Sequence, residues 1–149
     1  ADCFEITDIG RQTIARSALR NGVADKIRIY SEATSDFPDV LDDVKWDQTI
    51  VLCDIEGAEF DLLNEPCLDR LSEATILIEI HNWIEDFRFK YHNFLENAAQ
   101  RFDIELLERS GLPNQFFPEL RGYTDDNRML MLSEGRPNIM RYLLLSNGL

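Results

Sequence analysis

The stretch TIVLCDIEGAEFDLLNEPCLDRLSEATILIEIH, Thr49–His81, decides the fold. It opens on one apolar run, Thr49–Cys53, and closes on another, Ala74–Ile80, and both are nearly continuous rather than alternating. A strand with one wet face alternates polar and apolar residues, whereas a strand covered on both faces, as in a parallel sheet, does not. Gly57–Leu63 between them reads as helix. Strand, helix and strand in this order predict two adjacent, parallel, central and buried strands joined by a right-handed crossover.

The same alternation continues outward. Lys26–Tyr30 (KIRIY), Phe102–Leu107 (FDIELL) and Met140–Leu145 (MRYLLL) are further short β-rich runs, and the opening ADCFEI reads as the middle of a strand. Asp8–Arg20 repeats Ile14/Ala18 and Ala15/Leu19 at four residues and is stopped by Asn21-Gly22, because glycine accepts the left-handed conformation after a helix end. Ser35–Val44 is a short acidic helix candidate. The clearest helix spans Glu85–Arg101, where Phe87, Tyr91, Phe94, Leu95, Ala98 and Phe102 form one stripe. At about 1.5 Å per residue it would be about 25 Å long, enough to cross a sheet once. Gly111–Thr124 reads as a long surface loop, and Asp125 or Asp126 as the cap of a helix running to about Glu134, ended by Gly135 and Pro137. No repeat or linker divides the chain. Residues 1–149 therefore read as a single α/β domain with a mostly parallel sheet and an antiparallel final strand at its edge.

Composition narrows the partners. The chain has 149 residues, 44% of them hydrophobic, and a net charge of -13 from 28 acidic and 15 basic residues. A domain of this size buries roughly 70% of its unfolded surface and needs no disulfides. No cluster of Lys and Arg offers the basic face that nucleic acid or an anionic membrane requires, whereas a cationic ligand would be welcome. The three cysteines, Cys3, Cys53 and Cys67, are odd in number and show no C-x-x-C spacing, which speaks against a disulfide framework or a zinc ribbon and for a reducing, cytoplasmic setting. No apolar stretch approaches the roughly 18 residues that cross a bilayer.

Ligands of open α/β sheets sit at the carboxyl ends of the strands. Each candidate strand before the long helix ends in an acid: Glu5, Glu32, then Asp54, Glu56 and Glu59, then Glu79 followed by His81. In extended backbone, residues two apart share a face, pairing Asp54 with Glu56 and Glu79 with His81. On neighbouring strands about 4.8 Å apart, these four groups would converge on one rim. Acids also end strands for plainer reasons, as turn formers and helix caps, and Glu56 and Glu59 would favour the positive end of the following helix. Glu79 is different, because it interrupts an apolar strand where a carboxylate needs partners. His81 has the chemistry of a general base, a metal ligand or a structural hydrogen bonder; His92, on the polar side of the long helix, is given no role. Three carboxylates and a histidine suit Mn²⁺ or Mg²⁺ better than Zn²⁺, but no tight ligand spacing demands an ion, so no metal is assigned.

VLCDIEGAEFDLL, followed some twenty residues later by ILIEIH, resembles the FkbM-type family of S-adenosylmethionine-dependent methyltransferases, which carries D-x-E-G-x-E after its fourth strand and E-x-H after its fifth. CFEITDIGRQTIARSALRNGV resembles that family's second strand, acidic end and following helix, and KIRIYSEAT its third strand. The match spans about Ala1–Arg101, and DDNRMLMLSEGRPNIMRYLLL resembles the last helix and strand more loosely. The resemblance implies a Rossmann-like methyltransferase sheet with S-adenosylmethionine as cofactor. It implies that Glu5 binds the ribose hydroxyls, that Glu32 lies near the adenine, that Asp54 lies beside the methionine end and the reacting centre, and that Glu79 and His81 face the acceptor. The implied reaction is methyl transfer to a hydroxyl of a small molecule or sugar. His81 would be the base by its near-neutral titration, with Asp54 as the alternative. The family's first strand and Gly-rich loop have no counterpart, since no G-x-G precedes Phe4. The domain is thus expected to be truncated at its N-terminus, with an uncovered sheet edge or gap that another copy could fill by self-association. The alternative function is a non-catalytic remnant serving as a binding or assembly module.

Overall fold

The computed structural model describes residues 1–108, 117–132 and 141–147. Its elements in chain order are β1 (Asp2–Phe4), α1 (Asp8–Arg20), β2 (Arg28–Tyr30), α2 (Phe37–Val40), β3 (Ile50–Cys53), α3 (Glu59–Leu62), α4 (Glu65–Arg70), β4 (Thr75–Glu79), α5 (Phe87–Ala98), β5 (Asp103–Glu108), α6 (Asp125–Leu132) and β6 (Arg141–Ser146). The fold is α/β, with strands and helices alternating through β5.

The described strands form two sheets. β1 and β2 pair in parallel, with Cys3 opposite Ile29. The other sheet has the order β3-β4-β6-β5. β3 and β4 are adjacent and parallel, as the apolar runs predict, with Val51 opposite Ile76 and Cys53 opposite Ile78. β6 is antiparallel to both of its neighbours, pairing Ile78 with Leu143 and Leu106 with Leu143. It therefore does not lie at the edge, as expected, but between β4 and β5. Its inward Leu143 and Leu145 are almost wholly buried, as an interior position requires.

The core gathers around β4. Ile76 and Ile78 of β4 and Leu143 and Leu145 of β6 join Phe60, Leu63, Cys67, Leu68 and Leu71 from the α3–α4 region and Phe94, Ala98 and Phe102 from the long helix and its end. The aromatic stripe meets Phe60, whose ring lies 5.2 Å from that of Phe94 and 5.8 Å from that of Tyr91. α5 is shorter than expected: Asp86, with φ at 56°, breaks the helix before Phe87, and Ala98 ends it. α2 likewise keeps only four residues of the expected Ser35–Val44, with Pro38 in its first turn. α4 was not anticipated; Asn64 caps it by accepting from Cys67 N at 3.1 Å, and Pro66 lies in its first turn. α6 is capped by Thr124 rather than by an aspartate, through Asn127 N at 3.4 Å. Of the expected loop, Pro118–Gly122 is a 3-10 turn, and the segment 111–116 lies outside the described residues, as do Glu134, Gly135 and Pro137.

One expectation fails clearly. β3 is buried on one face only: Cys53 is enclosed, but Ile50 and Leu52 are 74% and 69% exposed. β3 is also the end strand of its sheet, and β1 pairs with β2 alone, so each has an unpaired edge. The alternating pattern of burial follows, since no described layer lies over the outer face of β3. Leu19 and Ile9 of α1 are exposed for the same want of a cover, and of the two predicted α1 pairs only Ala18 is buried. No described helix is long and apolar enough to cross a membrane.

Candidate functional site

The ends of β3 and β4 carry the site. After Cys53 the chain turns sharply through Glu56 and Gly57, both left-handed, with φ of 57° and 110°. The turn departs from the extended backbone expected at Glu56. A side chain at Gly57 would be strained by its φ and would start 2.4 Å from Ile84 Cγ2, so the position needs glycine twice over. The turn swings Asp54 and Glu56 toward β4. There Ile80 N still bonds to Arg141 O at 2.9 Å, holding the β4 backbone to β6 one residue beyond the strand, and His81 follows directly.

His81 has no exposed surface. Its Nδ1 donates to Glu59 Oε1 at 2.5 Å. That oxygen also accepts from Gly57 N at 3.0 Å and Ile55 N at 3.3 Å. Glu59 is itself wholly buried. One carboxylate thus ties the turn after β3 to the histidine after β4 and keeps the proton on Nδ1. Nε2 is then aimed at three further carboxylates: Asp54 Oδ1 at 3.6 Å, Glu56 Oε2 at 3.7 Å and Glu79 Oε1 at 3.8 Å. Those distances exceed hydrogen-bonding range. Nε2 is buried and has no hydrogen-bond partner among the described residues. Trp83 places its ring edge-on to the imidazole, 4.7 Å between centroids, and remains half exposed.

The rim predicted from sequence is therefore assembled: Asp54, Glu56, Glu79 and His81 come together at the carboxyl end of two parallel neighbours. Their exposure differs. The Asp54 and Glu56 side chains are 46% and 70% exposed, while Glu79 and His81 are enclosed. Sequence reasoning missed Glu59 as the organiser of the cluster. Cys53, just beneath, is no thiolate: burial first, then the negative charges of Glu59 and Asp54, push its thiol up to about 12.

Glu5 and Glu32 lie elsewhere. Glu5 follows β1, and its Oε1 accepts from Thr7 N at 2.7 Å and Thr7 Oγ1 at 2.6 Å; these bonds hold its carboxyl below the usual range. Gly10 leaves room for that carboxylate, since a Cβ there would start 2.3 Å from Glu5 Cδ. Glu32 is exposed in the loop after β2. Beyond the rim, Asn82, Asp86, Phe87, Arg88 and Phe89 line an open groove of about 430 Å³.

No family model and no curated protein matches the sequence. Solved structures do match the fold. An O-methyltransferase from Bacillus cereus, crystallised in complex with SAH, superposes with a TM-score of 0.59 at 11% identity, over 98% of this chain and 62% of its own. A domain assigned to precorrin-6Y C5,15-methyltransferase from Corynebacterium diphtheriae superposes with a TM-score of 0.52 at 16% identity, over 97% of this chain and 72% of its own. The chain thus spans less than two thirds of the length of the Bacillus protein, and its architecture is that of Rossmann-like methyltransferases.

Proposed function

We propose that this chain is the greater part of an S-adenosylmethionine-dependent methyltransferase domain of the FkbM type, transferring a methyl group to a hydroxyl of a small molecule or sugar in a cytoplasmic setting. The observation that carries the reading is the convergence of Asp54, Glu79 and His81 at the ends of adjacent parallel strands, within a fold shared with methyltransferases. The compartment is inferred from the buried free thiols of Cys53 and Cys67.

The residues suit part of the cofactor. Glu5 has a second oxygen, Oε2, to offer to ribose hydroxyls, Glu32 is free to approach the adenine, and the acidic rim attracts a sulfonium. What the described residues lack is a run of backbone N–H groups for the methionine carboxylate. A further strand and Gly-rich loop would supply it, and the unpaired edges of β1 and β3 are open to such a strand. A second copy pairing through the same edges is the competing occupant.

S-adenosylmethionine, when bound, supplies the sulfonium methyl. Transfer of that methyl to a hydroxyl oxygen would leave the electron pair of the broken carbon–sulfur bond on sulfur, so the work left to the chain is to align the acceptor and remove its proton. The hydroxyl proton must go to a base. Asp54 is, with Glu56, one of the two accessible members of the rim and takes that role as the residue expected beside the reacting centre, which makes the wholly buried His81, assigned the base on chemistry alone, a positioning residue together with Glu79. The groove at Asn82–Phe89 is the place for the acceptor.

Calorimetry with S-adenosylmethionine tests the proposal. The chain alone should bind it weakly or not at all, and a version extended by a strand and G-x-G loop should bind it. In the extended protein, Glu5→Ala should weaken binding by roughly ten- to a hundredfold, the equivalent of about 1.5–3 kcal/mol. An extended protein that folds but does not bind the cofactor would leave the non-catalytic module as the better reading.

A further inference from the structure

We propose that Asp54, Glu56 and the Nε2 of His81 form a binding site for a hard divalent cation, Mn²⁺ in preference to Mg²⁺. The ligand atoms of these three residues lie within 4.8 Å of one another. Acidic clusters alone do not make a site; the histidine does. Its imidazole is completely enclosed, and Nε2 carries no partner while pointing at carboxylate oxygens. A buried polar atom without a partner is costly, so something must compensate it.

The spacing fits an ion better than a hydrogen bond. Around an octahedral cation with bonds of about 2.1 Å, adjacent ligand atoms stand about 3 Å apart and opposite ones about 4.2 Å. Nε2 stands 3.6 Å from Asp54 Oδ1 and 3.7 Å from Glu56 Oε2, wider than the adjacent spacing by an amount that the two exposed carboxylates can close by turning. The support behind the ring is that of a metal-bound histidine. Glu59 accepts from Nδ1, which fixes the tautomer, orients the ring and raises the basicity of Nε2. Glu59 is in turn held by the backbone of Ile55 and Gly57, so the arrangement is built before any ion arrives. Two carboxylates and one imidazole, with Glu79 alongside at 3.8 Å from Nε2, form an oxygen-rich set with a single nitrogen. Oxygen ligands favour Mg²⁺, Ca²⁺ and Mn²⁺, and the nitrogen tilts that choice to Mn²⁺. The two carboxylate ligands are the exposed members of the cluster, so an ion can enter from solvent.

The site shares Asp54 with the proposed methyl transfer, but its test needs no cofactor. The 149-residue chain, stripped with a chelator, is titrated with Mn²⁺ and the free ion followed by electron paramagnetic resonance. One Mn²⁺ per chain is expected, with a spin-echo coupling to one imidazole nitrogen. Glu56→Gln and Asp54→Asn should each weaken binding at least tenfold while leaving the melting of the metal-free chain nearly unchanged. Asp47→Asn, an exposed acid with no part in the cluster, should leave binding as it was. His81→Gln should abolish the nitrogen coupling; should that variant fail to fold, the coupling in the wild-type protein already decides the point. Absence of stoichiometric binding, binding without nitrogen coupling, or binding that survives both Glu56→Gln and Asp54→Asn would each overturn the site and leave His81 as an imidazole ringed by acids. None of these results depends on whether S-adenosylmethionine binds.

Discussion

The two sheets of this protein meet water in opposite ways. In the larger sheet β4 and β6 have neighbours on both edges, helices supply a covering layer, and Ile76, Ile78, Leu68 and Leu145 have no measurable exposure. Around β1 and β2 only two strands pair, and Ile9, Leu19 and Ile6 stand between 64% and 76% exposed. The N-terminal unit is pinned instead by polar and aromatic contacts: Arg28 bridges Asp2 at 2.5 Å and Asp43 at 2.8 Å, and Phe4 stacks on Tyr30 at 4.8 Å. Exposed ion pairs contribute at most about 1 kcal/mol each, so the difference locates most of the stability in the half that carries the acidic rim.

Truncation of a core leucine gives the largest test of that contrast. Leu68→Ala in α4 should cost about 2–5 kcal/mol, the transfer of a buried side chain plus the cavity it leaves. Leu19→Ala in α1 should stay within about 0.5 kcal/mol. Urea unfolding measures both, and a Leu19→Ala cost approaching that of Leu68→Ala would mean that the α1 face is covered in solution. Glycines sharpen the comparison at intermediate size. Gly22→Ala, at φ 67° with open space around it, should cost about 1–2 kcal/mol for the left-handed backbone alone. Gly57→Ala adds the collision with Ile84, for a further 1–3 kcal/mol or so. Equal melting temperatures for the two variants would show that the turn after Asp54 is looser than its geometry.

Thiols give the smallest effect and the most direct map. Cys53 and Cys67 are buried, and burial first of all pushes both thiols up to about 12, whereas Cys3 is partly exposed. In the native state Ellman's reagent should therefore titrate Cys3 quickly and the other two only on unfolding. The same shift sets a pH dependence. In unfolded chains these thiols ionise near pH 8.5–9, in the native state near 12, so the native state holds protons that the unfolded state has lost. Their contribution is complete below about pH 8.5 and declines as pH rises toward 12, at no more than about 1.4 kcal/mol per pH unit for Cys53. A urea midpoint that does not fall between pH 8.5 and 10 would contradict the burial of Cys53.

Much of this was legible in the residues. The apolar runs of β3 and β4 announced parallel neighbours, the Phe87–Phe102 stripe announced a packed helix, and the acids after the strands announced a shared rim. What escaped was non-local. Strand order depends on pairing between distant segments, so nothing within MRYLLL distinguishes an edge strand from one inserted between β4 and β5. The open face of β3 escaped for a related reason: apolar residues reveal what could be covered, not what is. Glu59 escaped because an acid in the first turn of a helix already has a sufficient explanation. A finer signal was present, since Glu59 shares a helix face with buried Leu63, and an acid on an inward face needs a partner.

The place of β6 bears on how the chain acquires its shape during synthesis. β3, β4 and β5 are all made before residues 141–146, yet among the described strands β5 pairs with β6 alone. Until β6 emerges, β4 carries an open inner edge and β5 has no described strand to join, and Ile80, one residue from His81, lacks the Arg141 carbonyl that bonds its amide. The rim encoded at residues 54–81 is therefore set in place by a segment translated well after it.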